Sequence, residues 1–445
     1  MTQSIVIQVG QCGNQIGCRF WDLALQEHAQ YRKRGSRDDS WNSFFMQSKS
    51  GNLSDNLSES IKARAVLVDM EEGVINQLLK GPLAKLLDQK QLLTDVSGAG
   101  NNWATGHLHF GAQYRERIEE CVRRAAEQCD CLQCFFLFHS MGGGTGSGVG
   151  TSILSMLQDN YPDIYRFVTA VYPSADDDVV TSPYNAVLAM NQLTEHADCV
   201  LPFENQALMD ITMKFGKEGK DKADKNPYDS MNDIVGKMLL NITSSSRFEG
   251  ALNVDINEIT TNLVPFPKLH YLVSSQTPLV QDGSSMPLRR LDQLFTDVFL
   301  REHQMIKADP RNSMYLSCAL MCRGKIELSD LRRNIDRLRP SLNFIHWNTD
   351  GWKTGLCSVA PVGQQQALVA LSNNTCIRHS MQNLKDRFVK LYRRKAHIHH
   401  YTSVDGMDNE IFSQSLESLS TLIQDYTNLE TGNLPSNAAP IIIAD

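Results

Sequence analysis

Five glycines fall within the seven residues Gly142–Gly148. Because glycine has no Cβ, the backbone N–H groups of such a loop can turn toward a ligand without steric hindrance. The loop follows the apolar run Phe135–Phe138 and precedes a helix that we predict to begin near Val149. A helix N-terminus adds unpaired donors and a partial positive charge. These features indicate a binding site for a phosphate chain.

The spacing of this glycine loop excludes two common phosphate-binding motifs. No lysine follows the last glycine, so the loop is not a Walker A motif, and its glycines do not have the Rossmann spacing. A flexible Gly/Ser linker is the alternative, but a linker rarely lies between a buried strand and a helix. The sequence therefore predicts a phosphate cradle of another type.

Other candidate ligand residues lie where predicted strands end. Short β-rich runs alternate with helical stretches, which is typical of an α/β fold with a parallel sheet covered on both faces. These runs are 5–9, 65–68, 135–138, 167–172 and 199–201. Ligands of such sheets bind beyond the carboxyl ends of the strands. The loop at Gly10, the acidic pair Asp69 and Glu71, and the glycine loop all follow strand ends, so they predict one shared site.

The side chains at these strand ends suggest more specific roles. Asp69 and Glu71 are paired carboxylates, which beside a triphosphate usually hold Mg²⁺, although surface carboxylates at a strand end are the alternative. Residues 98–103 form a second glycine loop, for which a simple turn is the alternative. The backbone donors of Gln11 and Cys12 can reach phosphates, whereas the Cys12 side chain can equally be a small buried thiol.

The rest of the chain divides into two further regions. Apolar residues between Met231 and Ile242 recur at helical spacing, which predicts a helix packed against the core. Residues from about 250 to 379 mix strand-like and helical runs, and two amphipathic helical segments follow from Met381 to Tyr426. We predict a nucleotide domain at 1–209, a central helix with an intermediate α+β domain at 210–379, and a C-terminal helical layer with a short tail at 380–445.

Composition narrows the classes of partner. The chain has 445 residues, a net charge of −7 and eleven cysteines, with neither a signal sequence nor an apolar run long enough to span a bilayer. We therefore expect a soluble intracellular protein with reduced thiols that binds neither nucleic acid nor membrane. Basic residues between Lys390 and Lys395 lie on a predicted helix, where they either face a partner or are solvated.

Three blocks of sequence, in the same order, resemble the tubulin superfamily. Residues 8–17 resemble its first phosphate loop, His139–Gly148 its glycine-loop signature, and 247–267 the exit of its core helix with the loop that follows. The similarity runs from Thr2 to about Tyr426. Among the subfamilies, it is greatest to the epsilon-tubulins.

The resemblance implies GTP or GDP as the ligand, together with Mg²⁺. It implies that Asp178 contacts the ribose, that Asn205 and Asn232 read the guanine edge, and that Tyr228 stacks on the base. It favours Glu71 over Asp69 as the main magnesium residue. The implied phosphate contacts are Gly10, Gln11, Cys12, Gln15, Gly100, Asn101, Ser140, Gly142, Gly143, Gly144, Thr145 and Gly146.

The resemblance also implies a mechanism and a cellular role. In the family, the segment from Asp255 to Glu258 projects into the nucleotide pocket of the next subunit, where an acid polarises the attacking water; a solvated helix carboxylate is the alternative for Glu258. The expected partners are alpha-, beta- or delta-tubulin or a second copy of the chain, and centriolar proteins. The epsilon similarity implies a cytoskeletal protein of the centrosome, centriole or basal body.

Two other functional classes compete with an assembling GTP-binding subunit. A metabolic dinucleotide enzyme is disfavoured by the missing Rossmann spacing and by the absence of a nucleophile and base constellation. A self-sufficient regulatory GTPase is disfavoured because Glu258 is expected to serve the nucleotide of a neighbour. GTPase activity is therefore expected only on assembly with another tubulin.

Overall fold

A computed structural model describes residues 2–31, 39–47, 61–174, 177–215, 227–279 and 290–436. The first half of the described chain contains eight strands, β1 (Gln3–Val9), β2 (Phe45–Gln47), β3 (Ile61–Ala63), β4 (Ala65–Asp69), β5 (Leu92–Thr94), β6 (Leu132–Ser140), β7 (Tyr165–Tyr172) and β8 (Cys199–Glu204). Its helices are α1 (Gly10–Tyr31), α2 (Glu72–Lys80), α3 (Gly111–Ala126), α4 (Gly150–Asn160), α5 (Ser182–His196) and α6 (Asn205–Phe215).

Six of these strands form one parallel sheet, in the order β5-β4-β1-β6-β7-β8. β1, β4 and β6 are almost entirely buried, which explains why they read as continuous apolar runs. The five predicted strands are all present in this sheet. The prediction missed β5, β2 and β3, because runs of three residues carry too little periodicity to identify a strand.

The second half contains a mixed sheet and further helices. Its elements are α7 (Pro227–Ile242), α8 (Ser244–Arg247), β9 (Gly250–Leu252), α9 (Ile256–Leu263), β10 (Leu272–Thr277), α10 (Leu291–Asp297), β11 (Tyr315–Gly324), α11 (Leu328–Leu338), β12 (Trp352–Cys357), β13 (Gln366–Asn374), α12 (Ile377–Tyr392), α13 (Ile398–Thr402) and α14 (Asn409–Glu430). The sheet order is β10-β13-β11-β12-β9, and only the β11–β12 pair is parallel. These elements confirm the expected α+β region, although the strand predicted at 269–273 begins later, at Leu272.

The predicted central helix is α7, and it packs against α1. The two helices approach closely at Gly236, where a Cβ would lie 3.3 Å from Leu23 Cδ1. An ion pair between Arg19 and Asp233 (2.9 Å) also joins them. α7 therefore connects the parallel sheet to the second half of the chain.

A buried charge cluster also ties the two halves together. The Glu27 carboxylate on α1 contacts Arg247 at 2.8 Å and Arg323 on β11 at 2.6 Å, and all three residues are buried. Burial opposes the ionised form of Glu27, but the two guanidinium groups outweigh it and hold the pKa of the carboxyl below its usual range. Removing one partner would leave an uncompensated buried charge, so this cluster must form as a unit.

The C-terminal helices α12 and α14 pack on each other and on α5. Tyr184 of α5 lies edge-on to Phe388 of α12 and to Phe412 of α14, with ring centroids 5.3 and 5.4 Å apart. This layer confirms the two predicted amphipathic segments. It lies on α5, and α5 in turn packs against residues 145–149 at the end of the glycine loop. Among the described residues, no helix has the length and apolar character of a membrane span, and the eleven cysteines are free thiols.

Candidate functional site

The loop after β1 is held close to the middle of the sheet. Gly10 has a φ of +71°, which favours glycine, and a Cβ there would lie 3.0 Å from Gly146 N. A Cβ at Gly13 would lie 2.1 Å from Phe138 O. The buried Asn14 side chain donates to Gly10 O (3.0 Å) and Val68 O (3.4 Å). The first turn of α1 therefore lies against both β4 and β6.

Three predicted ligand residues lie on the first two turns of α1. Gln11 is exposed, and Cys12 and Gln15 are partly exposed. Desolvation of the Cys12 thiol by the surrounding chain raises its pKa to about 12, so the side chain is uncharged at neutral pH. Cys12 can therefore donate to an anion through its backbone N–H and, more weakly, through its neutral thiol.

The glycine loop follows β6 and leads into a π-helical turn, Thr145–Val149, before α4 begins. Its close packing explains three of its glycines. A Cβ at Gly148 would lie 2.6 Å from Trp103 O. A Cβ at Gly144 would lie 2.6 Å from Asn102 N, and one at Gly146 would lie 2.7 Å from Ser140 Oγ. At Gly143, by contrast, the nearest atoms to a Cβ are Ser140 Oγ at 3.7 Å and Asn101 Oδ1 at 3.9 Å. A Cβ at Gly143 would therefore make only ordinary van der Waals contacts.

The second glycine loop, residues 98–103, lies beside the first. Gly98, Gly100 and Asn101 have φ values of +62°, +54° and +52°. A Cβ at Gly98 would lie 2.9 Å from Glu71 Oε1, so this loop also contacts the predicted metal residue. The structure therefore brings together the Gly10 loop, the two glycine loops and the acidic pair at the carboxyl end of the sheet. We call this group of loops the carboxyl edge.

Asn185 joins these loops, and the sequence-based prediction missed it. Its Nδ2 donates to Asn101 O and Gly142 O, both at 2.8 Å, and its Oδ1 accepts from the Trp103 N–H (2.9 Å) and the Tyr401 hydroxyl (2.6 Å). Asn185 is fully buried. The sequence did contain one signal for Asn185. It is a polar amide within residues 182–190 of α5, which are all buried, and a buried amide requires hydrogen-bond partners.

The acidic pair has the character of a cation site. Asp69 is buried, and its Oδ2 forms no hydrogen bond within the described part of the chain. Burial raises the pKa of Asp69 to about 6. Glu71 is exposed beside Gly98. A buried carboxylate with an unpaired oxygen next to an exposed one fits a hard cation such as Mg²⁺, held directly or through water.

The residues predicted for the sugar and the base lie near the last strand of the same sheet. Asn205 begins α6 directly after β8, and Tyr228 and Asn232 lie one turn apart on α7, which packs against α6. Tyr228 is 51% exposed. Asp178 is exposed before α5, whereas Asp177 lies nearer to the glycine loop, 3.7 Å from a Cβ at Gly142.

Glu258 lies on another part of the molecule. It is in the first turn of α9, whose N-cap is Asp255, and the buried face of this helix carries Ile256, Ile259 and Leu263. The segment after α9 runs along the amino end of β8, where the Val200 N–H donates to His270 O (2.9 Å). α9 thus leads to the edge of the sheet opposite the glycine loops. We call α9 and residues 264–270 the far edge.

Glu258 is held by one ion pair. Its carboxylate contacts the ammonium of Lys353 on β12, and the two side chains are 44% and 26% exposed. The C-terminal end of α9 is fixed, since Ser317 and Asn373 donate to Leu263 O at 2.9 Å each. The structure therefore does not bring Glu258 and Asp255 together with the loops of the same chain.

Comparisons with known proteins establish the family. Residues 3–213 match the family described as "Tubulin/FtsZ family, GTPase domain", and residues 267–386 match "Tubulin C-terminal domain". Tubulin epsilon chains of Mus musculus and Homo sapiens are 56% and 55% identical, with 99% of this chain and 99% of each relative covered. A tubulin beta chain of Encephalitozoon cuniculi is 34% identical, with 98% of each chain covered. The chain belongs to the tubulin family as a GTP-binding cytoskeletal protein homologous to the epsilon chains.

Proposed function

We propose that this chain is a tubulin subunit of the epsilon type whose GTP is hydrolysed mainly when a second subunit docks on the carboxyl edge. The observation that supports this proposal is the separation of its two parts. The phosphate loops lie at one edge of the sheet, and Glu258 lies on a helix that leads to the opposite edge. A head-to-tail contact between subunits would place one beside the other.

Each residue group at the carboxyl edge has a role in this proposal. The backbone N–H groups of Gly10–Cys12, Gly100–Asn101 and Gly142–Gly146, with the Gln15 and Ser140 side chains, bind the phosphates. Glu71 and Asp69 hold Mg²⁺, which would neutralise phosphate charge. Asp178 binds the ribose. Asn205 and Asn232 read the guanine edge, because an amide both donates and accepts, and Tyr228 stacks on the base.

Glu258 acts on the nucleotide of the neighbouring subunit, with Asp255 beside it at the helix N-terminus. A carboxylate that accepts a proton from the attacking water contributes on the order of 10²–10⁴-fold to the rate. Positioning and charge stabilisation of the phosphoryl group supply most of the rest. An isolated subunit is therefore expected to bind GTP but to hydrolyse it slowly.

The partners proposed for this longitudinal contact are alpha-, beta- or delta-tubulin, or a second copy of the chain. The high identity to epsilon chains across both full lengths supports a role in microtubule organisation at the centriole, basal body or centrosome. Imaging of the tagged protein in cells, together with pull-downs that use each tubulin in turn, tests both statements. A diffuse cellular distribution without tubulin in the pull-downs would contradict them.

The decisive measurement of mechanism is phosphate release per molecule as the protein concentration rises. The proposal predicts that the rate per molecule rises with concentration, or on addition of a tubulin partner, because the active site is completed by association. The alternative function, a self-sufficient regulatory GTPase, predicts a constant rate per molecule. Sedimentation in the same samples shows whether association occurred.

Base selection tests the guanine site separately. A site built to hydrogen-bond one base leaves buried polar groups unpaired with the wrong base. We therefore expect GTP to compete at least 100-fold better than ATP for the wild-type protein, and this preference to fall about tenfold or more in Asn205→Ala or Asn232→Ala. Equal affinity of the wild type for GTP and ATP would refute the assignment of both asparagines.

A further inference from the structure

The Asn185 side chain uses its full hydrogen-bonding capacity to join separate parts of the chain. An amide has two N–H donors and a carbonyl oxygen with two lone pairs. In Asn185 both donors are bound to carbonyls, one in each glycine loop, and both acceptor positions are filled by Trp103 N and the Tyr401 hydroxyl. The fourth partner is in α13, so the same amide that holds the glycine loops also contacts the C-terminal layer.

Two more hydrogen bonds connect the same regions. The Tyr184 hydroxyl of α5 donates to Ala396 O (2.8 Å), and Asn102 Nδ2 in the second glycine loop donates to His400 O (2.8 Å). We call residues 393–402, which join α12 to the end of α13, the basic connector. It carries exposed Arg393, Arg394 and Lys395.

The backbone of the basic connector is strained. Lys395 and His397 have φ values of +51° and +60°, in the left-handed region that side chains with a Cβ disfavour. Such conformations are disfavoured for residues with a Cβ and persist only where the surrounding structure holds them. Local backbone bonds hold part of this turn, since the Lys395 and Ala396 N–H groups donate to Tyr392 O (2.9 Å) and Leu391 O (3.2 Å). The Tyr184 hydroxyl, the Asn102 amide and, through Tyr401, Asn185 hold the connector from outside. Its conformation therefore depends in part on bonds that originate in and beside the glycine loops.

We propose that Asn185 and Tyr401 are positioning residues that couple nucleotide binding at the glycine loops to the conformation of the basic connector. A nucleotide bound to the two preorganised loops restrains them further, strengthens the hydrogen bonds to the connector and keeps it in its strained form. Loss of the nucleotide weakens these hydrogen bonds and releases the connector from its strained form. Thermodynamic linkage then requires the reverse effect, so a change in the connector must alter nucleotide affinity. The proposal rests on GTP binding at these loops and is independent of Glu258.

Three tyrosine variants test this coupling, each lacking one buried hydroxyl. Tyr401→Phe removes the bond to Asn185, whereas Tyr184→Phe removes a bond to the connector without touching either glycine loop. Tyr271→Phe is the matched control, since its buried hydroxyl bonds to Thr194 (2.7 Å) away from the loops. We expect the dissociation rate of a fluorescent GDP to rise about 3- to 10-fold in Tyr401→Phe and about 2- to 5-fold in Tyr184→Phe, and to stay unchanged in Tyr271→Phe.

Hydrogen exchange supplies the second readout. Amides of residues 393–402 are expected to exchange more slowly in GTP-bound than in nucleotide-free wild-type protein, and this difference should disappear in Tyr401→Phe but persist in Tyr271→Phe. Dissociation rates that match the control in both Tyr401→Phe and Tyr184→Phe would overturn the coupling. Failure of the wild type to bind GTP would instead refute the proposed function, so the two failures are distinguishable.

Discussion

At the carboxyl edge, three loops are fixed by close backbone contacts and by one saturated buried amide. At the far edge, by contrast, the described residues hold the Glu258 side chain through a single, partly exposed ion pair. The first arrangement leaves little freedom: a Cβ on Gly13, Gly144 or Gly146 would lie 2.1 to 2.7 Å from its nearest neighbour. The second arrangement allows the acid to reorient when a neighbouring subunit approaches.

This difference between the two edges is consistent with separate roles in two subunits, nucleotide binding in one and catalysis by the other. A phosphate site must be preorganised before the ligand arrives, because its donors act only if they already point at the phosphates. A catalytic acid that acts on a neighbour need only be correctly placed after docking. We therefore expect changes at the carboxyl edge to act on nucleotide binding of the isolated subunit, and changes at the far edge to act only in assemblies.

The largest effect is expected at Gly143. Gly143→Val should abolish nucleotide binding while leaving the fold intact, because the added side chain would enter the space that we assign to phosphate and its Cβ would lie 3.7 Å from the nearest non-neighbouring atom. The measurement is the amount of GTP and GDP extracted from purified protein, expected to fall from about one per chain to nearly none, together with the melting temperature.

Gly144→Val is the matched variant for Gly143→Val. Its Cβ would lie 2.6 Å from a backbone nitrogen, so we expect it to lose both nucleotide and stability. Stoichiometric nucleotide in Gly143→Val would show that the space above this residue is not the phosphate position, and the predicted site would have to move.

Glu258→Ala should have the next largest effect, and only in assemblies. The nucleotide affinity of the isolated subunit should be unchanged, since α9 leads to the edge opposite the chain's own loops. Phosphate release in a mixture with a tubulin partner should fall by about 10²–10⁴-fold, the usual contribution of a general base. Weaker nucleotide binding by the monomer, or unchanged release in a mixture shown to associate, would mean that the acid is structural.

The sequence predicted the residues at strand ends better than the contacts between loops. Glycine runs and paired carboxylates predict a phosphate site because few other functions need those residue types at that spacing. Asn185 carries no comparable signal, since its importance depends on loops that are 43 and 84 residues away along the chain. The ion pair between Glu258 and Lys353 joins residues 95 positions apart, and it too could not be predicted from the sequence. Long-range pairings of this kind require the tertiary structure.

Buried histidines should make stability depend on pH. Burial lowers the pKa of His139, which lies directly before Ser140, and of His270 at the far edge, each to about 4. In the unfolded chain a histidine titrates near 6.5, so between pH 6.5 and 4 the unfolded state binds more protons. Each histidine's contribution is therefore fully present above pH 6.5 and is lost as the pH falls toward 4.

Replacing either histidine tests this linkage. Between pH 7 and pH 5 the free energy of unfolding should fall by about 2 kcal/mol less in His139→Gln or His270→Gln than in the wild type. Denaturant titrations at the two pH values measure it. Nucleotide content at pH 7 should fall only in His139→Gln, because this ring packs against Gly150 just after the glycine loop. An equal loss in both variants would contradict the separation of the two edges.

The smallest effect is expected at Lys353. Lys353→Met has two effects on the Glu258 carboxylate. The carboxylate becomes free to rotate, and it loses the positive charge that offsets the repulsion between this carboxylate and the phosphates of a neighbouring subunit. Because the pair is partly exposed, we expect phosphate release in assemblies to fall only about 3- to 10-fold, with little change in stability. Lys353→Arg, which keeps the charge, should restore most of the rate. Faster phosphate release in Lys353→Met than in the wild type would mean that Lys353 holds Glu258 in an unproductive position. If Lys353→Arg does not restore the rate, the packing of the lysine side chain, and not its charge, positions Glu258.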